Sequence, residues 1–243
     1  MAEQYRFPQP LHEGVIHSRP NRFIMLANVN GEERKLHCPA TGSIGGLKFR
    51  ETPCLASLSD DKERSTQGTV EAISLNPPSD QMKHWIGIDQ MRANDYVDFY
   101  LRRSLLKKMT GEVHGIQREV RVEGSRLDFL INGSTYLEVK TPLHMLDPKY
   151  ADHQVSGELT SFGRTMRHFG AVGDHAAAGG GILLLCFLYD AKRFRVPETT
   201  QRTAAIKEAA EAATRQGMEN WQVNFEVDRE GVRLLDLFRL DLF

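Results

Sequence analysis

Short runs of alternating apolar and polar residues fill the chain between about Arg22 and Trp85. The first two, FIMLANV and EERKLHC, flank the dipeptide Asn30-Gly31, and this arrangement predicts a β-hairpin with a two-residue turn. Five short strands in about seventy residues predict a small β-barrel. The other three strand-like runs are CLASLS from Cys54, TVEAISL from Thr69 and WIGI from Trp85.

The periodicity changes beyond Asn94, where aromatic and leucine side chains recur at helical spacing up to Gly111. Three strand-like runs follow, IQREVRV, RLDFLIN and TYLEVKT, and then a helical stretch from about Val155 to Phe169. The next run, GILLLCFLY, is wholly apolar, which is typical of a strand covered on both faces of its sheet. A helix from about Thr200 to Gln216 and two strands, WQVNFEV and GVRLLDLF, complete the pattern.

Together these patterns predict an α+β chain of two domains. Residues 1–90 are expected to form the barrel. An OB-like barrel is the simplest candidate, and an SH3-like barrel is the alternative because it has a similar strand count. Residues 91–243 are expected to form an α/β sandwich, because helices and strands are interspersed there around a buried central strand.

The composition is that of an ordinary soluble globular protein, with 40% hydrophobic and 26% charged residues. No apolar run approaches the ~20 residues that a membrane-spanning helix needs, and the first residues lack the features of a secretory signal. We therefore expect an intracellular protein with no membrane partner, in the cytoplasm or, in a eukaryote, the nucleus. Three scattered cysteines without a C-x-x-C pattern indicate reduced thiols rather than a disulfide framework or a zinc site.

The net charge of −1 gives no overall attraction to nucleic acid, which binds to clustered lysine and arginine. Basic side chains are nevertheless unevenly distributed, so local patches could contact phosphates. An exposed helix face in water is an equally good interpretation of the group near residue 165. The two groups are Arg102, Arg103, Lys107 and Lys108, and then Arg164, Arg167 and His168.

The strongest chemical signal is the segment SRLDFLINGSTYLEVKT, in which Asp128 on one strand precedes a turn, and Glu138 and Lys140 follow on the next strand. Side chains alternate along a strand, so Glu138 and Lys140 share one face. With Asp128, this group is typical of the metal-binding core of PD-(D/E)xK nucleases. Two carboxylates can hold one Mg²⁺, or Mn²⁺ in its place, and the lysine can orient the attacking water.

This interpretation depends on the strand register. With a two-residue loop, Asn132-Gly133, the carboxylates of Asp128 and Glu138 would point to opposite faces of the hairpin. With a three-residue loop that adds Ser134 and holds Gly133 in the left-handed conformation, Asp128 would lie directly opposite Glu138. A metal site therefore predicts the three-residue loop. The alternative is that these acids and the lysine are surface charges on an ordinary hairpin.

Four segments resemble the sugar fermentation stimulation protein A (SfsA) family. HCPATGS from His37 is similar to the family's HCPNTGS, and REV from Arg118 to its RREV. SRLDFL from Ser125 is similar to its SRIDFLL, and YLEVK from Tyr136 to its YVEVK. The resemblance implies an N-terminal OB-like domain joined to a PD-(D/E)xK nuclease-like domain, with DNA binding as the attributed activity and a regulatory role in bacterial sugar utilisation.

The resemblance also implies that Asp128, Glu138 and Lys140 take the site positions, with Glu119 as an additional acid. From the residues alone, an Arg–Glu ladder along its strand is an equal alternative for Glu119. Two segments depart from the family pattern. The barrel loop SDDKER, from Ser59, is more acidic than the family's SDNPKRK-like loop, and residues 164–166 replace part of its TERGQKHL-like segment.

These observations lead us to expect a DNA-binding protein with a nuclease-type, Mg²⁺-dependent site for phosphodiester hydrolysis, with RNA as an alternative substrate. The second hypothesis is a non-catalytic DNA-binding transcriptional regulator that retains the nuclease fold. The third is a member that no longer binds nucleic acid, in keeping with the near-neutral charge and the acidic barrel loop.

Overall fold

The computed structural model describes residues 3–122, 125–143, 146, 180–194, 208 and 211–241. The predicted helix at 155–169, with Arg164, Arg167 and His168, lies outside the described residues. Of the predicted helix at 200–216, residues 208 and 211–216 are described; residues 208 and 211–215 are helical and Gln216 is in a turn.

Five strands close into a barrel near the start of the chain. After a short first strand, β1 (Gln4–Arg6), the barrel sheet has the order β4-β3-β2-β5-β6-β7. Pairing of His37 with Thr69 joins β4 to β6 and closes the ring, which leaves β7 outside it. The strands are β2 (His12–Asn21), β3 (Ile24–Val29), β4 (Glu32–His37), β5 (Thr52–Leu58), β6 (Gly68–Ser74) and β7 (Trp85–Gly87).

The predicted number of barrel strands is correct, but their identity is partly wrong. The run WIGI forms β7, outside the closed ring, and β2 was not predicted. Only Gly14 and Ile16 of β2 are buried, so its hydrophobic pattern is weak. A Cβ at Gly14 would lie 2.5 Å from the carbonyl oxygen of Asn28 on β3, so glycine permits the close approach of these strands.

The second part of the chain forms a seven-stranded mixed sheet in the order β1-β13-β12-β11-β10-β9-β8. Strands β10, β11 and β12 are parallel, and the other neighbours are antiparallel. Every residue of β11 is buried, which confirms the predicted central strand. The remaining elements are α1 (Gln90–Arg102), α2 (Lys107–Thr110), β8 (Ile116–Val122), β9 (Ser125–Ile131), β10 (Thr135–Lys140), β11 (Gly181–Phe187), β12 (Met218–Val227) and β13 (Gly231–Arg239).

The N-terminal strand β1 belongs to this second sheet. Gln4 pairs with Arg233 and Arg6 with Gly231 on β13. The sequence assigned these residues to the barrel domain, 1–90, so that assignment is wrong for residues 4–6. Three residues are too few to carry a periodic pattern that would identify their sheet.

Helix α1 begins at a defined cap and covers one face of the second sheet. The side chain of Asp89 accepts hydrogen bonds from the backbone N–H groups of Met91 and Arg92, at 3.0 and 3.2 Å. Tyr96, Val97 and Tyr100 pack with the apolar residues of β9 to β12, while the interior of the barrel packs with the opposite face of the sheet. Within the described ranges, no helix is long and apolar enough to cross a membrane.

Candidate functional site

The turn between β9 and β10 has the three-residue loop that a metal site requires. Ile131 pairs with Thr135, and the backbone N–H of Ser134 donates to the Ile131 carbonyl at 3.1 Å. Gly133 has a φ of 72°, as predicted, and Asn132 is also left-handed, with a φ of 53°. The side chain of Asn132 holds this conformation, because its Oδ1 accepts the N–H of His114 at 2.7 Å.

The strand pairing ends at Leu137 with Phe129, one residue before the two acids, so Asp128 and Glu138 are not a regular cross-strand pair. Beyond it, the backbone N–H of Val139, the residue after Glu138, donates to the Asp128 carboxylate. On the other side, Glu138 neighbours the buried Leu183 of β11.

Asp128 is half-buried and accepts a hydrogen bond on each carboxylate oxygen. Asn94 Nδ2 on α1 donates to Oδ1, and the backbone N–H of Val139 donates to Oδ2, both at 2.8 Å. Burial raises the pKa of the Asp128 carboxyl, and the negative charge of Glu138 raises it further. The two hydrogen bonds and Lys140 act in the opposite direction. The two acids therefore interact electrostatically.

Glu138 and Lys140 are in direct contact. The side chain of Glu138 is 2% exposed and that of Lys140 is 29% exposed, and Lys140 Nζ donates to Glu138 Oε1. Residues two apart on a strand share a face, so this contact follows from the E-x-K spacing. The structure thus brings together Asp128, Glu138 and Lys140.

Glu119 lies nearby in the sheet but does not join the acid pair. The pairs of Arg118 with Phe129 and Val120 with Leu127 lie on either side of Glu119 and Asp128. Its side chain is exposed and forms an ion pair with Arg126 at 2.7 Å. This contact corresponds to the Arg–Glu ladder. That Glu119 binds a metal ion stays a prediction.

The first predicted basic group is at the far end of α1. Arg102 binds Asp98 at 2.8 Å, and Arg103 binds Glu3 at 3.1 Å. At about 1.5 Å per residue, Arg102 lies about 12 Å along the helix from Asn94, which contacts the acid pair. Both arginine side chains are exposed but already have acidic partners.

Asn94 is a site residue that the sequence did not single out. It precedes Asp128 by 34 positions, and the hydrogen bond between them depends on how α1 packs against β9. An asparagine in a helix carries no spacing signal that would connect it to an acid on a distant strand. Across the described parts of the chain, no group of three or more His, Cys, Asp or Glu side chains could hold a metal ion.

Comparisons with known proteins place the chain in a family. The family description "SfsA N-terminal OB domain" matches residues 18–88, and "Sugar fermentation stimulation protein RE domain" matches residues 91–231, more than half of the chain. The chain belongs to the SfsA family. The match at 18–88 covers the closed barrel except for the first residues of β2, and it confirms the prediction of an OB barrel over an SH3-like one.

Relatives of the SfsA-family chain include two proteins described as "Sugar fermentation stimulation protein homolog". The one from Synechococcus sp. (strain JA-2-3B'a(2-13)) is 36% identical over 140 residues, which are 56% of this chain and 56% of that protein. The one from Shewanella frigidimarina (strain NCIMB 400) is 34% identical over 145 residues, 56% of this chain and 58% of that protein. The matched region thus spans just over half the length of each relative.

A solved structure, described as Pyrococcus furiosus SfsA in complex with Ca²⁺, has a similar fold. Its TM-score is 0.72 with 17% sequence identity, and the alignment covers 100% of both chains. At this identity the similarity concerns the fold alone. It confirms the architecture of an OB barrel followed by a large sheet with few helices.

Proposed function

We propose that this SfsA-family chain is a DNA-binding protein whose second domain holds Mg²⁺ between Asp128 and Glu138 and hydrolyses phosphodiester bonds. The observation that supports this most directly is the pair of contacts at the end of the β9–β10 hairpin, where Asp128 accepts the N–H of Val139, the residue next to Glu138, and Lys140 contacts Glu138. The solved relative from Pyrococcus furiosus, described as a Ca²⁺ complex, favours a divalent cation in this family.

The donor set fits a hard divalent cation. Mg²⁺ is bound in proteins through one or two carboxylates and keeps several waters, so two acids are sufficient. Each Asp128 oxygen has one hydrogen-bond donor, and a carboxylate oxygen has capacity for a second contact. The mutual repulsion that helps to raise the pKa of Asp128 is relieved by a cation placed between the acids.

The side chains would have separate roles in hydrolysis. Asp128 and Glu138 would hold Mg²⁺, which when bound polarises the phosphate and lowers the pKa of a coordinated water. Lys140 contacts Glu138, and its ammonium group would orient the water and offset charge on the phosphate. Arg102 and Arg103, with the group Arg164, Arg167 and His168, would contact the nucleic-acid backbone.

A non-catalytic DNA-binding regulator is the second candidate. It is favoured by the contact between Lys140 and Glu138, because an ammonium group that neutralises a buried carboxylate can take the place of a metal ion. In that case the acid pair would be a structural remnant of the nuclease fold, and binding of DNA would not depend on a divalent cation.

A cleavage and binding panel over single- and double-stranded DNA and RNA, with Mg²⁺, Mn²⁺ or EDTA, separates these functions. We expect metal-dependent cleavage by the wild-type chain and its loss in Asp128→Asn and Glu138→Ala, because each variant removes one carboxylate from the proposed metal site. Asp60→Asn is the matched control, since it neutralises an exposed acid of the barrel loop.

Salt-sensitive binding without cleavage of any substrate would identify the regulator instead. Cleavage that persists at the wild-type rate in Asp128→Asn and Glu138→Ala would exclude these acids as the site. Absence of binding to every nucleic acid at low salt would reject both functions.

A further inference from the structure

Asn94 is placed to fix the direction in which the Asp128 carboxylate points. Its amide Nδ2 donates to Oδ1 at 2.8 Å, while the Val139 N–H holds Oδ2 at the same distance. Two donors on the two oxygens determine both the position and the rotation of a carboxylate. The Val139 donor comes from the same strand as Glu138, so these two bonds fix Asp128 relative to its partner acid.

The first turns of α1 are themselves firmly anchored. Arg92, two residues before Asn94, forms an ion pair with the buried Glu71 of barrel strand β6 at 3.4 Å. Gln90 Nε2 donates to the carbonyl of Thr141 at 2.8 Å, immediately after Lys140. The start of α1 therefore contacts the barrel, the end of β10 and the acid pair within five residues of sequence.

We propose that Asn94 is a positioning residue that orients Asp128 for binding a divalent cation, and that the barrel holds Asn94 in place through α1. The metal-binding part of this inference rests on the function proposed above. Hydrogen-bond partners of metal-binding side chains orient them, and removing such a partner commonly weakens metal affinity by about 10- to 100-fold.

The test compares the full-length wild type with Asn94→Leu and Asn94→Ala. Both variants remove the donor, and both residues favour a helix, so α1 is preserved. Leucine also keeps a similar volume. Met91→Ala is the matched control, because Met91 lies on the same helix, is 77% exposed and is not among the residues that contact the acid pair.

Two quantities are measured: Mn²⁺ affinity by titration calorimetry, and hydrogen exchange of the Val139 amide by NMR without metal. We expect both Asn94 variants to bind Mn²⁺ at least about tenfold more weakly, and Met91→Ala to match the wild type. We also expect faster exchange at Val139 in the Asn94 variants, because a freely rotating Asp128 no longer holds that N–H.

The two measurements separate failure of this inference from failure of the metal site. If the wild type binds Mn²⁺ and the Asn94 variants bind it equally well, Asn94 does not position Asp128 for metal. If the wild type binds no Mn²⁺, the metal site is rejected and exchange at Val139 decides whether Asn94 orients Asp128. Unchanged exchange in both Asn94 variants would overturn the positioning role.

Discussion

The protein surrounds its two central acids in different ways. Asp128 is held by uncharged donors, the Asn94 amide and the Val139 N–H, whereas the buried Glu138 contacts the ammonium group of Lys140. A divalent cation that enters between the acids would therefore compete with Lys140 for Glu138. Displacement of the lysine would leave its ammonium group available for water or phosphate.

Substitution of Lys140 tests this arrangement most directly. In Lys140→Met the aliphatic stem is retained but the cation on Glu138 is lost, and removing one partner of a buried ion pair costs about 3 kcal/mol or more. We expect a loss of that order in the free energy of unfolding, measured by urea denaturation without metal. Saturating Mn²⁺ should recover part of the loss, because metal bound to the native state supplies the missing positive charge.

Lys35→Met, on the exposed side of β4, is the control for this substitution and should leave the unfolding free energy within about 0.5 kcal/mol of the wild-type value. If Lys140→Met were as stable as the wild type at every metal concentration, Lys140 would not neutralise Glu138.

For single residues, the sequence predicted best those features that depend on neighbouring positions along the chain. The E-x-K spacing was enough to predict the shared face of Glu138 and Lys140, whereas the three-residue loop with Gly133 in the left-handed conformation followed only from the hypothesis of a metal site. Asn94 could not be predicted, because its contact with Asp128 arises from the packing of a helix that ends 23 residues before β9 begins.

Among the elements, α1 carries the contacts between the barrel and the site. Its cap Asp89 and its Arg92 lie beside Glu71, whose side chain is 1% exposed. One Glu71 oxygen accepts the Ser57 hydroxyl at 2.6 Å, and within the described residues its other oxygen, Oε2, has no hydrogen-bond partner. Burial accordingly raises the pKa of Glu71, while Arg92 and Ser57 lower it in part.

The raised pKa of Glu71 predicts a particular pH dependence of stability. At a pH above the ordinary glutamate pKa of 4.5, Glu71 still holds a proton in the native state but has lost it in the unfolded chain. Stability therefore falls as the pH rises from 4.5 and levels off once the native pKa is passed. Burial also raises the pKa of Asp89 from 3.8, which adds to the same trend.

Glu71→Gln removes the titrating group but keeps an acceptor for Ser57. We expect the unfolding free energy of this variant, followed by urea denaturation over about pH 4.5 to 7, to decline less steeply than that of the wild type. Glu63→Gln, in the exposed barrel loop, should retain the wild-type slope. Equal slopes in wild type and Glu71→Gln would show that Glu71 does not titrate as its burial implies.

The elements that the sequence predicted correctly have a strong local pattern. The Asn30-Gly31 hairpin has both turn residues left-handed, with φ values of 57° and 83°, and the wholly apolar β11 is central. The helix predicted up to Gly111 is instead two helices, separated around Ser104 with a φ of 53°. Strand β2 was missed because one of its two buried positions is a glycine.

Across the whole molecule, the barrel and the second sheet are in direct contact. The Gly87 N–H of β7 donates to the carbonyl of Leu188 at 2.8 Å, and a Cβ at Gly87 would lie 2.5 Å from Leu188 Cβ. Strand β1 precedes the barrel strands in sequence but lies in the second sheet. These long-range pairings have no local sequence signal, so the sequence did not predict them.

The central claim is that Asp128 and Glu138 bind one divalent cation. The most direct measurement is a crystal structure of the wild type soaked in Mn²⁺, with anomalous difference maps, alongside Glu138→Gln treated identically. We predict an anomalous peak between the carboxylates of Asp128 and Glu138 in the wild type and none in the variant. A wild-type map without a peak at these acids, or a peak that persists unchanged in Glu138→Gln, would contradict the claim.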